Sequence, residues 1–283
     1  MRKAAVVCAW IVLLLILGLS YLAAGGRIIR AGGETELQVS VLQTEDDADC
    51  IVINQGADAV MIDTGEERDS EYIIRRVQDM GIENLDMLIL THPDKDHIGG
   101  AVSILQEISA DRVICPYYDG QKEEWEKVEE YCKNRGIEIY CLTHVWKMNT
   151  GYVNLLIYPP LEKHYKQENN YSLAILAEHG NVKMFFGGDS LRKRSEELLT
   201  MHLPEVALYK VSCHGRANSA SSDLIETLNP VYAVVTSDSA DEEIVTSCSK
   251  CDSSLLFSRD ADVIFKSDGK QLIMESSLQN MDE

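Results

Sequence analysis

The sequence predicts an α+β fold, with mixed sheets covered by helices on the outside. Two observations carry this. Strand-like runs pair early in the chain, and later runs alternate with helical segments, an order that builds packed sheet and helix layers. A third observation places chemistry on that frame. An apolar run from Leu85 to Leu90, read as a buried strand, leads directly into Thr91-His92-Pro93-Asp94-Lys95-Asp96-His97-Ile98-Gly99-Gly100.

Glu34 to Leu42 alternates as a half-buried strand does. Cys50 to Asn54 and Ala59 to Asp63 follow as strands, with Gly56 and Asp58 at the turn. Asp69 to Met80 has helical periodicity and stops at Gly81. After the strand at Leu85 to Leu90, Gly99-Gly100 permit a tight turn into a helix from Ala101 to Ile108. Arg112 to Cys115 is a short strand closed by Pro116, and Gln121 to Asn134 a helix ending before Gly136. Ile137 to Leu142 and Val153 to Tyr158 are strands. Ser172 to Glu178 and Val182 to Phe186 form a hairpin around His179-Gly180-Asn181. Helices at Leu191 to Met201 and Ser221 to Leu228 alternate with strands at Val206 to Val211 and Val231 to Thr236. Two short strands, Asp262 to Lys266 and Gln271 to Met274, close the chain. No internal repeat occurs.

The 283 residues suffice for one large domain or two small ones. One boundary stands out, near Arg30, where Gly25-Gly26 and Gly32-Gly33 make a short linker. Before it, Arg2 and Lys3 precede an uncharged span from Ala4 to Gly26, long enough to cross a bilayer. Residues 1–30 are therefore expected to form one N-terminal transmembrane helix, a signal anchor. The small residues of Tyr21-Leu22-Ala23-Ala24-Gly25 leave a cleaved signal peptide as the alternative. Arg27 and Arg30 nearly balance the flanking charge. A short basic N-terminus before one apolar span marks export, which places residues 31–283 outside the cell on a single-pass membrane anchor.

The formal charge is −20, and residues 1–30 hold four basic and no acidic side chains, so the remainder carries −24. That balance is opposite to the basic footprint of a protein that binds long nucleic acid, although local fields near a site count for more. Of eight cysteines, only Cys248 and Cys251 show a paired spacing. A single CxxC does not make a zinc ribbon, and the pair reads as a local disulfide or two free thiols.

Two histidines and two aspartates within six residues, held at a strand end, suit zinc, manganese or iron. Three other loops at strand ends offer partners: Gly187-Gly188-Asp189, Cys213-His214-Gly215 and Asn169-Asn170-Tyr171-Ser172. Lys95, Arg192-Lys193-Arg194 and Arg216 are basic residues beside these loops. They read as phosphate contacts, or, for the triplet, as a charged helix start. His144, His164, His179 and His202 have no ligand-like context.

Over residues 34–275 the chain resembles the metallo-β-lactamase superfamily, through Ile62-Asp63-Thr64-Gly65, His92 to His97, Gly188-Asp189 and His214-Gly215. Asp94 stands where the common motif has a histidine. That variant, with Gly99-Gly100 and Asn169-Asn170-Tyr171-Ser172-Leu173, looks like the ComEC-type competence hydrolase branch. The resemblance implies a four-layer αββα sandwich with a two-metal site at one sheet edge, holding two divalent ions, zinc or manganese. It assigns His92 and Asp94 to the first ion, Asp96, His97 and His214 to the second, and Asp189 to a bridge. Asn170 stands in for a middle-loop histidine and Asp63 supports a ligand. The first of two histidines usual in this branch is Cys213 here, which takes no ligand role.

The implied activity is hydrolysis of a phosphoester, possibly in DNA, through a metal-bridging hydroxide that Asp96 helps to position. A smaller phosphoester suits the acidic surface equally well, and nothing favours a β-lactam. The alternative, motivated by Asp94 and Asn170, is a non-catalytic binding or scaffold protein with a degraded metal site.

Overall fold

The computed structural model describes residues 36–275. The expected membrane helix of residues 1–30 and the boundary near Arg30 lie outside the described residues. Among the described residues, no helix is long and apolar enough to cross a membrane.

Strands β1 (Leu37–Val41), β2 (Ile51–Gln55) and β3 (Asp58–Ile62) form an antiparallel meander. Gly56, at φ +62°, makes the tight turn between β2 and β3. Helix α1 (Ser70–Asp79), strands β4 (Asn84–Leu85) and β5 (Met87–Ile89), and helices α2 (Lys95–Ile98) and α3 (Ala101–Glu107) follow. Next come β6 (Ser109–Ala110), β7 (Arg112–Pro116), α4 (Glu123–Arg135) and β8 (Glu138–Leu142). The second half holds β9 (Trp146–Asn149), β10 (Asn154–Tyr158), β11 (Ala174–His179), β12 (Val182–Phe186), α5 (Arg192–Leu199), β13 (Leu208–Lys210), α6 (Ser221–Leu228) and β14 (Tyr232–Val235). It ends with α7 (Glu242–Lys250), β15 (Ser254–Phe257), β16 (Val263–Ser267) and β17 (Leu272–Glu275).

Two large sheets result, ordered β17-β16-β1-β2-β3-β5-β7-β8 and β15-β14-β13-β12-β11-β10-β9. They pack face to face. Val39, Ile53, Val60 and Ile89 from the first meet Ile157, Ile175, Phe186 and Val234 from the second in one core. The alternate residues face outward. Val52, Met61 and Leu88 pack against Ile73 of α1, Ile104 of α3 and Val128 of α4. Leu176, Phe185 and Ala233 pack against Leu198 of α5, Leu224 of α6 and Ile244 of α7. The layers are therefore helix, sheet, sheet, helix. Both faces of the inner strands are buried, which explains why they read as apolar runs.

Besides the short α2 and the two-residue strands β4 and β6, which pair as a small third sheet, three elements depart from the sequence expectation. The pattern of residues 242–250, rich in Ser, Thr and Val, is poor in helix formers, yet Ile244 and Cys248, four apart, bury on the outer core and hold α7 in place. β9 and β15 were also not anticipated. Both are edge strands with no fully buried residue, so the hydrophobic signal there is faint.

Candidate metal centre

The topology brings one end of many strands to one edge. β3, β5 and β7 are parallel neighbours, and so are β12, β13 and β14. Their C-terminal ends share an edge, the usual position for a site in such sheets. Asp63 follows β3, His92 to His97 follow β5, Asp189 follows β12, His214 follows β13 and Thr236 follows β14. β2 and β11 run antiparallel to their neighbours, so the residues preceding them, Asp49 and Asn169, reach the same edge.

Asp96, His97, Asp189 and His214 offer ligand atoms that all lie within 4.8 Å of one another. His97 Nε2 is 3.4 Å from Asp189 Oδ1 and 3.8 Å from Asp96 Oδ2. His214 Nε2 is 3.2 Å from Asp189 Oδ2 and 3.4 Å from Asp96 Oδ2. A tetrahedral ion with bonds of about 2.0–2.1 Å spaces its ligands by roughly 3.3 Å, close to these four separations. The His92 ring lies 4.1 Å from the His97 ring, and His92 Nε2 is 3.5 Å from Asp94 Oδ2.

The hydrogen bonds behind the histidines decide what their front atoms are. Asp63 accepts from Thr91 N and Thr91 Oγ1, both at 2.7 Å, and faces His97 Nδ1 at 2.7 Å. A carboxylate only accepts, so His97 carries its proton on Nδ1. Thr91 Oγ1 uses its one hydrogen to donate to Asp63 and so accepts from His92 Nδ1 at 3.2 Å. Thr236 Oγ1 donates to Asp49 Oδ1 at 2.6 Å and so accepts from His214 Nδ1 at 2.9 Å. The Nδ1 bonds leave Nε2 as the ligand atom of all three rings; those of His97 and His214 face Asp96 and Asp189, and that of His92 faces Asp94. Those three Nε2 atoms and Asp189 Oδ1 are buried with no hydrogen-bond partner. Buried polar atoms are almost always paired, and four orphans together are the signature of a cation site. Burial opposes charge on His97 and His214, but Asp189 with Asp63, and Asp189 with Asp49, outweigh it and hold both imidazoles well above their usual pKa, so a cation would take each Nε2 in place of a proton.

Strained backbone supports the arrangement. Asp63, Cys213 and His214 have φ of +58°, +52° and +51°, conformations that non-glycine residues rarely adopt. Gly188, at φ +54°, precedes Asp189, and a Cβ there would press on Ser172 Cβ and Thr91 Cβ at 3.0 and 3.2 Å.

Two expectations need correction, those for Asn170 and Arg194. Asn170 does not face the centre: its Oδ1 accepts from Arg194 N at the start of α5. Its neighbour Asn169 instead donates to Asp189 Oδ2 at 3.1 Å. Arg194 is not a phosphate contact, because it is wholly buried, bound to Glu197 and to the carbonyls of Ser172 and Tyr158. Arg192 and Lys193 are exposed and paired with Glu196 and Glu162. Cys213 is buried, and burial with Asp189 nearby pushes its thiol pKa well up, which keeps it protonated and inert as a nucleophile.

Asp49, Lys210 and Lys122 carried no role in the sequence reading. Asp49 and Lys210 form a buried ion pair beneath the site, and Asp49 lies 3.2 Å from His214 Nδ1. Pairing the start of β2 with the end of β3 was the available signal, since it sets Asp49 beside Asp63. Lys122, just before α4, contacts Asp94 at 2.9 Å and Glu168 at 2.5 Å. No local pattern marks it. Burial works against ionisation of Asp94, but His92 and Lys122 prevail and hold its carboxyl well below the usual range.

A layered sandwich with a histidine and carboxylate cluster at one sheet edge defines a class. The pattern of the Metallo-beta-lactamase superfamily matches residues 44–201, and the chain belongs to that superfamily. Its members are generally metal-dependent hydrolases whose fold binds divalent metals, often two. ComE operon protein 3 of Bacillus subtilis (strain 168) is 29% identical over 157 residues, which span 55% of this chain and 20% of the relative. Recombination protein 2 of Haemophilus influenzae is 27% identical over 153 residues, 54% of this chain and 18% of the relative. Both support the ComEC-type branch, and the match spans about a fifth of their length. The metallo-beta-lactamase fold protein YhfI from Bacillus subtilis superposes with a TM-score of 0.56 at 10% identity, covering 82% of this chain and all of that one.

Proposed function

We propose that this chain is a metal-dependent hydrolase of phosphodiester bonds. The observation that carries the proposal is that His97 Nε2, His214 Nε2 and Asp189 Oδ1 are buried without hydrogen-bond partners, in a group of residues whose ligand atoms, with Asp96, lie within 4.8 Å of one another. We assign Asp96, His97, Asp189 and His214 to the tighter of two divalent ions, zinc or manganese. His92 and Asp94 are assigned to a weaker one, which competes with the Lys122 ammonium for Asp94. Such ions, when bound, polarise the phosphoryl oxygens and lower the pKa of water.

The chain's own groups do the rest. Asp96 is the least buried of the tighter quartet and opens on a cleft of about 540 Å³. It is placed to orient an attacking water. Lys95 and Arg216 line the same cleft and reach a bound phosphate by leaving their carboxylate partners, Glu66 and Asp47. Asp63, Thr91, Asp49 and Thr236 hold the imidazoles in the required tautomer.

The substrate class follows from the ComEC-type likeness. A relative named Recombination protein 2 makes a DNA strand one phosphodiester to try, and the acidic mouth of the cleft, with Asp46, Asp47 and Glu66, repels a long polyanion more than a small diester. The span from Ala4 to Gly26 is assigned to a retained anchor that leaves the domain outside the cell. Protease added to intact cells should then digest the domain, and full-length protein in the cytosol would count against export. The test of function is the full chain, reconstituted with zinc or manganese, assayed for bound metal and against a panel of phosphomono- and phosphodiesters. Failure to retain any metal would refute the catalytic reading. A second reading, a binding protein with a degraded site, is favoured by the Lys122–Asp94 pair alone; it is supported if metal binds and no ester turns over.

A further inference from the structure

The sequence draws attention to Cys248 and Cys251, but the structure brings a different pair together. Cys115 on β7 and Cys141 on β8 are register partners on adjacent strands, and their sulfurs are 3.2 Å apart. Neighbouring strands lie about 4.8 Å apart, inside the Cα separation that a disulfide accepts, and both side chains lie on the same face. The sulfurs need to approach by roughly 1.2 Å to reach the S–S bond length of about 2.04 Å.

We propose that Cys115 and Cys141 are a disulfide-forming pair that pins the edge strand of the eight-stranded sheet. Cys141 is exposed on that edge strand, and Cys115 is buried behind it. Cys115 lines a small cleft together with His92, Pro93 and Tyr118. The chain between the two cysteines is the excursion that carries Lys122 and α4, so the bond closes that excursion at its base, beside the first metal position.

The order of events follows from access. Cys115 Sγ–H donates to Cys141 Sγ, and this hydrogen bond lowers the Cys141 pKa to about 7, so the exposed sulfur is the nucleophile. Its thiolate attacks a disulfide such as glutathione disulfide, releasing one glutathione thiolate and forming a mixed disulfide. Cys115 loses its proton and displaces the second glutathione, leaving one Sγ–Sγ bond and two reduced glutathiones. Burial keeps Cys115 from reacting first. The proposal is independent of the hydrolase reading.

The test is mass mapping of the full chain after incubation with glutathione disulfide, blocking of free thiols and digestion with trypsin without reduction. Residues 113–122 should be joined to residues 136–147, and the free thiol count should fall by two. Cys141→Ser, a change at an exposed position, should leave residues 113–122 unlinked. Recovery of both peptides as blocked thiols or as glutathione adducts would overturn the proposal. So would a link from Cys115 to Cys132 in place of Cys141.

Discussion

Lys210→Met is the sharpest probe of how the site is held. Lys210 and Asp49 are both at most 1% exposed, and Asp49 accepts from Lys210 and Thr236 and lies 3.2 Å from His214 Nδ1. Burial works against the Asp49 carboxylate, but Lys210 and His214 more than compensate and depress its pKa strongly. Burial likewise opposes the Lys210 ammonium, and Asp49 raises its pKa in spite of that. Removing one partner of a buried pair typically costs about 3–5 kcal/mol, because the other charge stays behind. Thr236 and His214 still serve Asp49, so the lower end applies, about 3 kcal/mol, or roughly a hundredfold in the ratio of folded to unfolded protein. With a urea slope near 2.5 kcal/mol/M, the midpoint should fall by about 1 M.

The assay is urea unfolding of the full chain in mild detergent and excess chelator, followed by tryptophan fluorescence, on Lys210→Met, Asp49→Asn and the double variant. If the two charges act as a pair, the double variant should recover at least about 1.5 kcal/mol of the summed single costs. A Lys210→Met midpoint within experimental error of wild type, with additive double-variant behaviour, would refute the pairing argument.

Asp189→Ala should lower metal content and reduce turnover at least about a hundredfold, whereas Cys213→Ser should stay within a few-fold of wild type; the reverse outcome in one metal-loaded assay would sink the ligand assignment. Arg194→Met should destabilise the fold by about 3 kcal/mol or more, read from the same urea curves, and leave KM of the surviving protein unchanged, since Arg194 is sealed from the cleft. Lys95 and Arg216 at the mouth, and Lys122 beside Asp94, each have a carboxylate partner, so few counterions should be released on binding a DNA strand. Its kcat/KM should fall less than about tenfold between 50 and 200 mM salt; a steeper fall would reveal a basic tract elsewhere.

What was legible in the sequence followed from local chemistry. The dense loop of His92 to His97 announced itself, and the doubly buried strands announced the layers. Asp49 did not, because it sits at the end of the acidic run Asp46-Asp47-Ala48-Asp49, where one carboxylate looks like the next. Only the register of β2 on β3 separates it from its exposed neighbours. Arg194 misled for a related reason: in Arg192-Lys193-Arg194 three cations share a helix start, and which one turns inward depends on α5 packing against Tyr158 and Ser172. Asn169 and Asn170 differ by one position in a 3-10 turn, a rotation that sequence spacing does not resolve. In each case the undetermined quantity was direction, while residue type was read correctly.

Direction is also what the strained residues supply. A strand that ends at a sheet edge carries its next side chain onward, away from the edge. Left-handed φ values at Asp63, Cys213 and His214 turn the chain abruptly at the strand end. Such residues cost on the order of 1–3 kcal/mol each, and they persist only where surrounding contacts over-determine them. Those contacts are present: Asp63 N donates to Ile89 O and Arg216 N donates to Cys213 O, while Asp63 and His214 are tied by their side chains to Thr91 and Thr236. The same hydrogen bonds that hold the strained turns fix the imidazole tautomers. Geometry and protonation at this edge are therefore one device, and a substitution that relaxes a turn should loosen metal and fold together.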